Sequence, residues 1–284
     1  MKYVEYVALL EQHHIENAEG ELCELIHFIC GIDREELLKK RLMCKAEKKD
    51  LLEVAAVSLS ALDSLVARRI SGEPVQYITH SASFYGLELF VDEHVLIPRF
   101  DTECLVESAL DVMAGRGYCH VLDLCCGSGC IGAAIAQQCS TAQITFADFS
   151  EQALAVCQKN AELYCEDRFT IVKHDVFSDE NFQDLDIVVS NPPYISFSDM
   201  QQLSKEVKKE PESALYGGKD GLDFYRRIAA KYIQSLKPGG FLLFEVGYDQ
   251  AQQVVEICKN NHFTNLVVRN DYHQIPRVVI GQKR

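Results

Sequence analysis

Apolar residues recur at spacings of three and four from Met1 to about Ser71, as in Leu22, Ile26 and Ile29 and then Leu51, Val54, Ala55, Leu59, Leu62 and Leu65, which predicts helices. Asp33 ahead of Glu35 and Glu36 reads as a helix start with acids in its first turn, and Gly20 and Gly31 as stops. Gly72-Glu73-Pro74 breaks this pattern, and FYGLELFV (84 to 91) alternates as a hairpin does. After Pro98, strands alternate with helices: CHVLDLC then GCIGAAIAQQC, QITFAD then EQALAVCQKNAELY, followed by the strands FTIVKHD and DIVVSNPPY. The helix LDFYRRIAAKYIQSL, the strand GFLLFEV, a helix from about Asp249 to Lys259 and the strands TNLVVR and RVVIG complete the pattern. Such alternation implies right-handed crossovers and a mainly parallel sheet covered on both faces, with ligands beyond the carboxyl ends of its strands. The expected organisation is a helical domain over 1–72, a β-hairpin linker over 73–97 and an α/β domain over 98–284.

Composition narrows the class. The chain has 284 residues, 48% hydrophobic and 25% charged, which is globular and large enough for one large or two moderate domains. No apolar run reaches the roughly 18 residues of a membrane span, and Glu5 and Glu11 interrupt the apolar stripe at the start, so a soluble, unprocessed chain is expected. Twelve cysteines include no C-x-x-C pair and no Cys/His zinc spacing. They read as small reduced hydrophobes in a reducing, cytoplasmic compartment, and no metal is expected. His13-His14 points two ways on a helix and reads as a solvated pair. A formal charge of -14 disfavours direct nucleic-acid binding and favours a neutral or basic partner.

The loop after the first strand of the α/β region runs from Asp123 to Gly132, and residues 127 to 132 fit G-x-G-x-x-G. Glycines there admit close backbone approach at a helix N-terminus, which serves NAD and S-adenosylmethionine alike. Asp148, at the end of QITFAD, is placed to accept from two ribose hydroxyls under either reading. Asp175-Val176 would lie beside an adenine ring, or form an ordinary turn. Asp123 ties the loop or touches the cofactor, and its sequence context leaves both open. Asn191-Pro192-Pro193-Tyr194 separates the cofactors, because hydride transfer has no use for it.

An amide nitrogen is a poor nucleophile because its lone pair is delocalised. Two acceptors that take its N–H bonds stabilise developing positive charge and aim the lone pair at a methyl carbon. The Asn191 side-chain oxygen can be one acceptor and the Pro192 carbonyl the other. Pro193 has no N–H and stiffens the turn, and Tyr194 offers a flat packing face. No strong base or covalent step is needed, since placement and fixed dipoles suffice.

With EPVQYIT (73 to 79), FYGLELFV, VLIPRFDTE (95 to 103), VLDLCCGSGCI (121 to 131), NPPYI (191 to 195) and ALYGGKDGLDFY (214 to 225), the chain resembles, nearly end to end, the PrmC/HemK family. These are bacterial methyltransferases that modify the glutamine amide of the Gly-Gly-Gln motif in peptide-chain release factors. The resemblance implies a Rossmann-like S-adenosylmethionine-dependent methyltransferase domain with an antiparallel last strand, and release factors as partners. It implies cofactor contacts from Cys125, Cys126, Gly127, Ser128, Gly129, Asp148, Val176 and Asn191, catalysis by Asn191, Pro192 and Tyr194, and a substrate amide against Asn191, Pro192, Pro193 and Tyr194. Arg99, Thr102 and Glu103 approach the same cleft, and Phe100 is expected to cover the cofactor. The chain departs from the family's pattern at Cys125-Cys126, at Phe100-Asp101 and at Tyr272 to Pro276. Two other readings are a methyltransferase of an exocyclic base amine, disfavoured by the absence of a basic groove, and a binding module without turnover, disfavoured by the intact acceptor pair.

Overall fold

A computed structural model describes residues 1–117 and 119–284, and the chain divides into two compact units, Met1–Ser81 and Ala82–Arg284. The first unit consists of helices α1 (Tyr3–Gln12), α2 (Ala18–Cys30), α3 (Arg34–Glu47), α4 (Leu51–Val54), α5 (Leu59–Ile70) and α6 (Val75–Thr79). Tyr6, Leu10, Leu22, Leu25, Ile26 and Leu62 are fully buried at its centre. Asp33 caps α3 by accepting from the Glu35 amide at 2.8 Å, which satisfies a donor the helix cannot. Gly31 ends α2 in the left-handed region at φ 62°. Gly20 does not stop a helix. It lies in the first turn of α2, where the Asn17 side chain occupies the space a Cβ would take. Val75 and Ile78 of α6 join the same core, so the helical unit continues to Ser81 rather than ending at residue 72, and the stretch 73–97 is shared between the units.

The second unit begins with the hairpin β1 (Ser81–Phe84) and β2 (Leu87–Phe90), turned by Tyr85 and Gly86 at φ 49° and 78°. Two positive φ values in a two-residue loop match the twist of a β ribbon. Next come α7 (Glu103–Met113), β3 (Cys119–Leu124), α8 (Cys130–Gln138), β4 (Ala142–Asp148), α9 (Glu151–Tyr164), β5 (Phe169–Lys173) and β6 (Leu185–Ser190). The short α10 (Phe197–Met200) and α11 (Glu212–Leu215) precede α12 (Asp223–Tyr232), β7 (Leu236–Glu245), α13 (Ala251–Asn260), β8 (Thr264–Asn270) and β9 (Pro276–Gln282). Asn160 on α9 is buried and holds Phe90 from both sides, accepting from its N–H at 2.8 Å and donating to its carbonyl at 2.9 Å.

The seven-stranded sheet has the order β5-β4-β3-β6-β7-β9-β8. All pairings are parallel except those of β9 with β7 and β8. Period-two alternation sends Val121 to the layer with Leu105, Ala133 and Cys157, and Leu122 to the layer with Tyr225, Ile228 and Val254. Both faces are therefore apolar, as helices on both sides require. The twelve cysteines are free, and those inside these layers pack as small hydrophobes.

The chain runs outward from β3 through β4 to β5, then returns to β6 on the other side of β3. This reversal opens a crevice at the carboxyl ends of the two central strands. Leu124 pairs with Ser190, so the glycine loop and the Asn191-Pro192-Pro193-Tyr194 turn leave the sheet side by side.

Candidate functional site

A cavity of about 720 Å³ occupies this crevice, a volume suited to a nucleoside-sized ligand. Of the residues singled out from the sequence, Arg99, Thr102, Cys125, Cys126, Gly127, Ser128, Asp148, Asp175, Val176, Asn191 and Pro193 line it. Gly129, Pro192 and Tyr194 are not in its wall.

Gly129 shapes the loop rather than the cavity. Its φ is 77°, its N–H donates to the Cys126 carbonyl at 2.8 Å, and a Cβ there would lie 2.7 Å from Cys157 Sγ. Gly127, at φ 53°, has nothing within 4 Å of where a Cβ would stand, which leaves its face open. The Asp148 carboxylate closes β4 and accepts from Gly127 N and from Ser150 N, each at 2.9 Å. Burial raises its pKa, and these N–H groups oppose that shift. A carboxylate with two oxygens anchored by backbone donors still has lone pairs for ligand hydroxyls. Asp175 also lines the cavity, and its carboxylate accepts from Phe177 N at 2.8 Å in a turn. The Val176 carbonyl is fastened from α12, by Arg227 Nε at 3.1 Å and Lys231 Nζ at 3.4 Å.

Asp123 ties the loop and stays out of the cavity wall: it is fully buried, and its Oδ2 accepts from Gly132 N at 2.9 Å. Burial pushes this carboxyl from 3.8 to about 8, and the Gly132 N–H only partly opposes it. The folded state therefore binds the proton more tightly than the unfolded state. Its contribution to stability is complete below pH 4 and declines as pH rises toward 8. Asp123→Asn keeps the acceptor for Gly132 and removes the titration. Its melting temperature relative to the wild type is expected to rise by several degrees between about pH 5 and pH 8, read by calorimetry. A pH-independent difference would refute this assignment.

The motif from Arg99 to Glu103 ties the cleft together. Arg99 pairs with buried Glu210, which also accepts from Ile97 N at 3.2 Å. Asp101 lies 3.2 Å from Arg277 of β9. Thr102 Oγ1 accepts from Asn191 Nδ2 at 3.4 Å. Glu103 accepts from Tyr85 N at 2.8 Å and so holds the hairpin to α7. The Phe100 ring is 60% exposed, stands outside the cavity wall and lies 5.3 Å from that of Tyr272. Tyr194 turns its ring toward the second core layer instead of the cavity, and burial raises its phenol pKa.

The turn is held by Gln250, for which the sequence carries no signal, and by Gly217 of the ALYGGKDGLDFY run. Gln250 Nε2 donates to the Tyr194 carbonyl at 2.9 Å, and Gln250 Oε1 accepts from Gly247 N at 3.0 Å. Gly217 N donates to Ile195 O at 2.9 Å, and a Cβ on Gly217 would stand 2.5 Å from the Pro193 carbonyl. The glycines of GGKDGL therefore allow one loop to lie flat on another. Their grouping in the sequence signals close packing but does not name the partner.

Burial pushes the thiols of Cys125, Cys126 and Cys130 up, so none is a thiolate nucleophile near neutral pH. Among the described residues, one trio, Asp92, Glu93 and His94, has potential cation ligands within 4.8 Å of one another, two of them exposed. No helix among the described residues is long and apolar enough to cross a membrane.

Comparison with known proteins adds to this geometry. Residues 4–79 match the PrmC N-terminal domain and residues 93–218 the methyltransferase small domain. The release factor glutamine methyltransferase of Clostridium acetobutylicum is 40% identical over 233 residues, covering 81% of this chain and 82% of that one. That of Borreliella burgdorferi is 33% identical over 270 residues, covering 92% and 94%. Among solved structures, the hMettl16 catalytic domain in complex with MAT2A 3′UTR hairpin 6 superposes with a TM-score of 0.58 at 13% identity, over 78% of this chain and 82% of that one. A methyltransferase from Pyrococcus furiosus gives 0.51 at 15% identity, over 76% and 96%. At such identities the structural likeness carries the fold, a Rossmann-like methyltransferase sheet.

Proposed function

The chain belongs to the release factor glutamine methyltransferase family, and from that premise we propose how its residues divide the work of methylating a glutamine side-chain amide in the Gly-Gly-Gln motif of peptide-chain release factors. One observation supports this most directly. Asn191 lines the cavity at the end of β6, beside the glycine loop, with its Nδ2 engaged by Thr102. That leaves Oδ1 as the end of the amide available to accept.

The cavity suits S-adenosylmethionine. Asp148 would hold the ribose hydroxyls, the backbone at Cys125 to Ser128 would face the amino-acid end, and Asp175 and Val176 would flank the adenine. Bound there, the cofactor supplies an electrophilic methyl carbon. The protein supplies alignment. Asn191 Oδ1 in the cavity wall, and the Pro192 carbonyl between the wall residues Asn191 and Pro193, would accept the two N–H bonds of the substrate amide and turn its lone pair toward that carbon. No hydrogen bond to the Pro192 carbonyl is made among the described residues, so this oxygen has no competing donor. As the new N–C bond forms and the methyl–sulfur bond breaks, with neutral S-adenosyl-L-homocysteine as the leaving group, the nitrogen becomes positive and both dipoles grip it harder, which is the differential binding that lowers a barrier. The nitrogen then loses a proton to water, and no base is required of the chain. Tyr194 acts through packing behind the turn.

The helical unit is assigned the docking of the protein substrate, because a loop-borne glutamine needs recognition beyond one side chain. The net charge of -14 suits a basic, RNA-binding protein tip better than nucleic acid itself. Cytoplasmic placement belongs to the same proposal, since release factors act during translation. Incubating the purified protein with S-adenosylmethionine and unmodified release factor is expected to add one methyl group, mapped by fragmentation to that glutamine. An unchanged mass, or methyl label appearing in RNA or DNA instead, would overturn the assignment.

A further inference from the structure

Glu245 ends β7 one position after Phe244, which pairs with Ser190, so Glu245 and Asn191 leave neighbouring strands at the same level. Its side chain is 2% exposed, as is that of Thr102. Thr102 and Asn191 both face the Glu245 carboxyl, yet Oε2 has no hydrogen-bond partner of normal geometry. Arg277 is nearby but gives its guanidinium bonds to Asp271, at 3.1 Å, Asp101, at 3.2 Å, and the Val246 carbonyl, at 3.4 Å. A buried carboxyl with one oxygen unpartnered costs folding free energy and calls for an explanation beyond stability.

We propose that Glu245, acting with Thr102, is a positioning residue that holds the Asn191 amide with its nitrogen inward and its oxygen toward the substrate. The inference rests on the function proposed above. An asparagine amide carries a donor at one end and an acceptor at the other on nearly the same shape, so hydrogen bonding alone decides which end points where. If it flipped, Asn191 would present N–H to the substrate N–H, a donor facing a donor. A carboxylate only accepts. Ionised Glu245 draws the Thr102 hydroxyl proton toward itself, leaves a Thr102 lone pair for Asn191 Nδ2, and rejects Oδ1.

Burial raises the Glu245 carboxyl to about 7, with Thr102, Asn191 and the Arg277 charge opposing and Asp101 adding to the rise. Tyr194 after β6, Tyr225 on α12 and Cys130 on α8 also face it, and all three stay neutral near pH 7 because burial raises their pKa values. Below about pH 7 the protonated carboxyl can itself donate, and its preference for the Asn191 nitrogen is lost. The constraint is therefore present above that pH and fades below it.

The test is the pH dependence of kcat with release factor, for wild type, Glu245→Gln, Thr102→Val and Thr102→Ser. Wild-type kcat is expected to rise through an inflection near 7. Glu245→Gln should lose that inflection and roughly 10- to 100-fold of kcat, with the S-adenosylmethionine Kd little changed and the melting temperature not lowered. Thr102→Val should fall similarly, and Thr102→Ser should recover most of the loss. A Glu245→Gln enzyme with wild-type kcat and pH profile overturns the proposal, as does a loss matched by equal losses in cofactor binding and stability. If Glu245→Gln does not fold, a flat wild-type profile across neutral pH overturns it equally. A wild type that methylates no release factor overturns the proposed function instead. The orientation is then read by NMR: Asn191 Nδ2 protons close to the Thr102 methyl at pH 8 and dispersed at pH 6 uphold it, and no such difference refutes it.

Discussion

Replacing Asn191 with alanine is expected to lower kcat for release-factor methylation by roughly 100- to 1000-fold, the usual loss when one preorganised dipole is removed from a reacting centre. Asn191 stands at the cavity wall with its nitrogen occupied by Thr102, so truncation removes an acceptor the substrate amide has nowhere else to find. The Kd for S-adenosylmethionine should change little, because the glycine loop and Asp148 remain. Asp148→Ala should give the opposite division, with cofactor Kd weakened roughly tenfold or more through loss of a charge-assisted acceptor and of the bonds that brace Gly127 and Ser150. Calorimetric titration for binding and single-turnover rates at saturating cofactor separate the two. Equal rates for Asn191→Ala and wild type would remove the basis for the acceptor-pair mechanism.

The second large effect is expected at Gly221. Its φ of 76° costs a residue with a Cβ about 1 to 2 kcal/mol, and a Cβ there would press into the Tyr194 carbonyl and stand 2.7 Å from Gln250 Nε2. Gly221→Ala should thus push against the bond from Gln250 that anchors the turn at Tyr194. A melting temperature lower by several degrees and kcat lower by roughly tenfold or more are expected. Gly86→Ala is the control, since Gly86 shares the conformation at φ 78° with nothing within 4 Å of its would-be Cβ. It should show the strain in stability and leave kcat alone. If both variants lose stability and neither loses kcat, the clash with the turn is not felt at the site.

Much of the site was legible because its parts are contiguous in the chain. The glycine loop, Asp148 and Asn191 each sit at the end of an apolar strand, and a parallel sheet brings the ends of its central strands together. The two glutamates that frame the cleft were not legible. Glu245 follows an apolar strand and reads as its solvated end, and Glu210 lies in a charged stretch that reads as loop. Only folding takes each out of water, Glu210 against Arg99 and Glu245 against Thr102 and Asn191. Tyr194 and Phe100 lie outside the cavity wall for a related reason. Both are next to site residues in sequence, but a turn points neighbouring side chains in different directions.

Hydrophobic period and turn chemistry therefore settled the class of fold, the helical front, the two-faced sheet and the edge at which a ligand binds, since these depend on local spacing and on the connection rules of parallel strands. Tertiary structure alone decided which polar groups are desolvated, which end of the Asn191 amide is held, and why GGKDGL needs its glycines. Those properties arise between segments roughly 20 to 150 residues apart, where burial changes the strength of a charge or hydrogen bond and no local pattern records the distance.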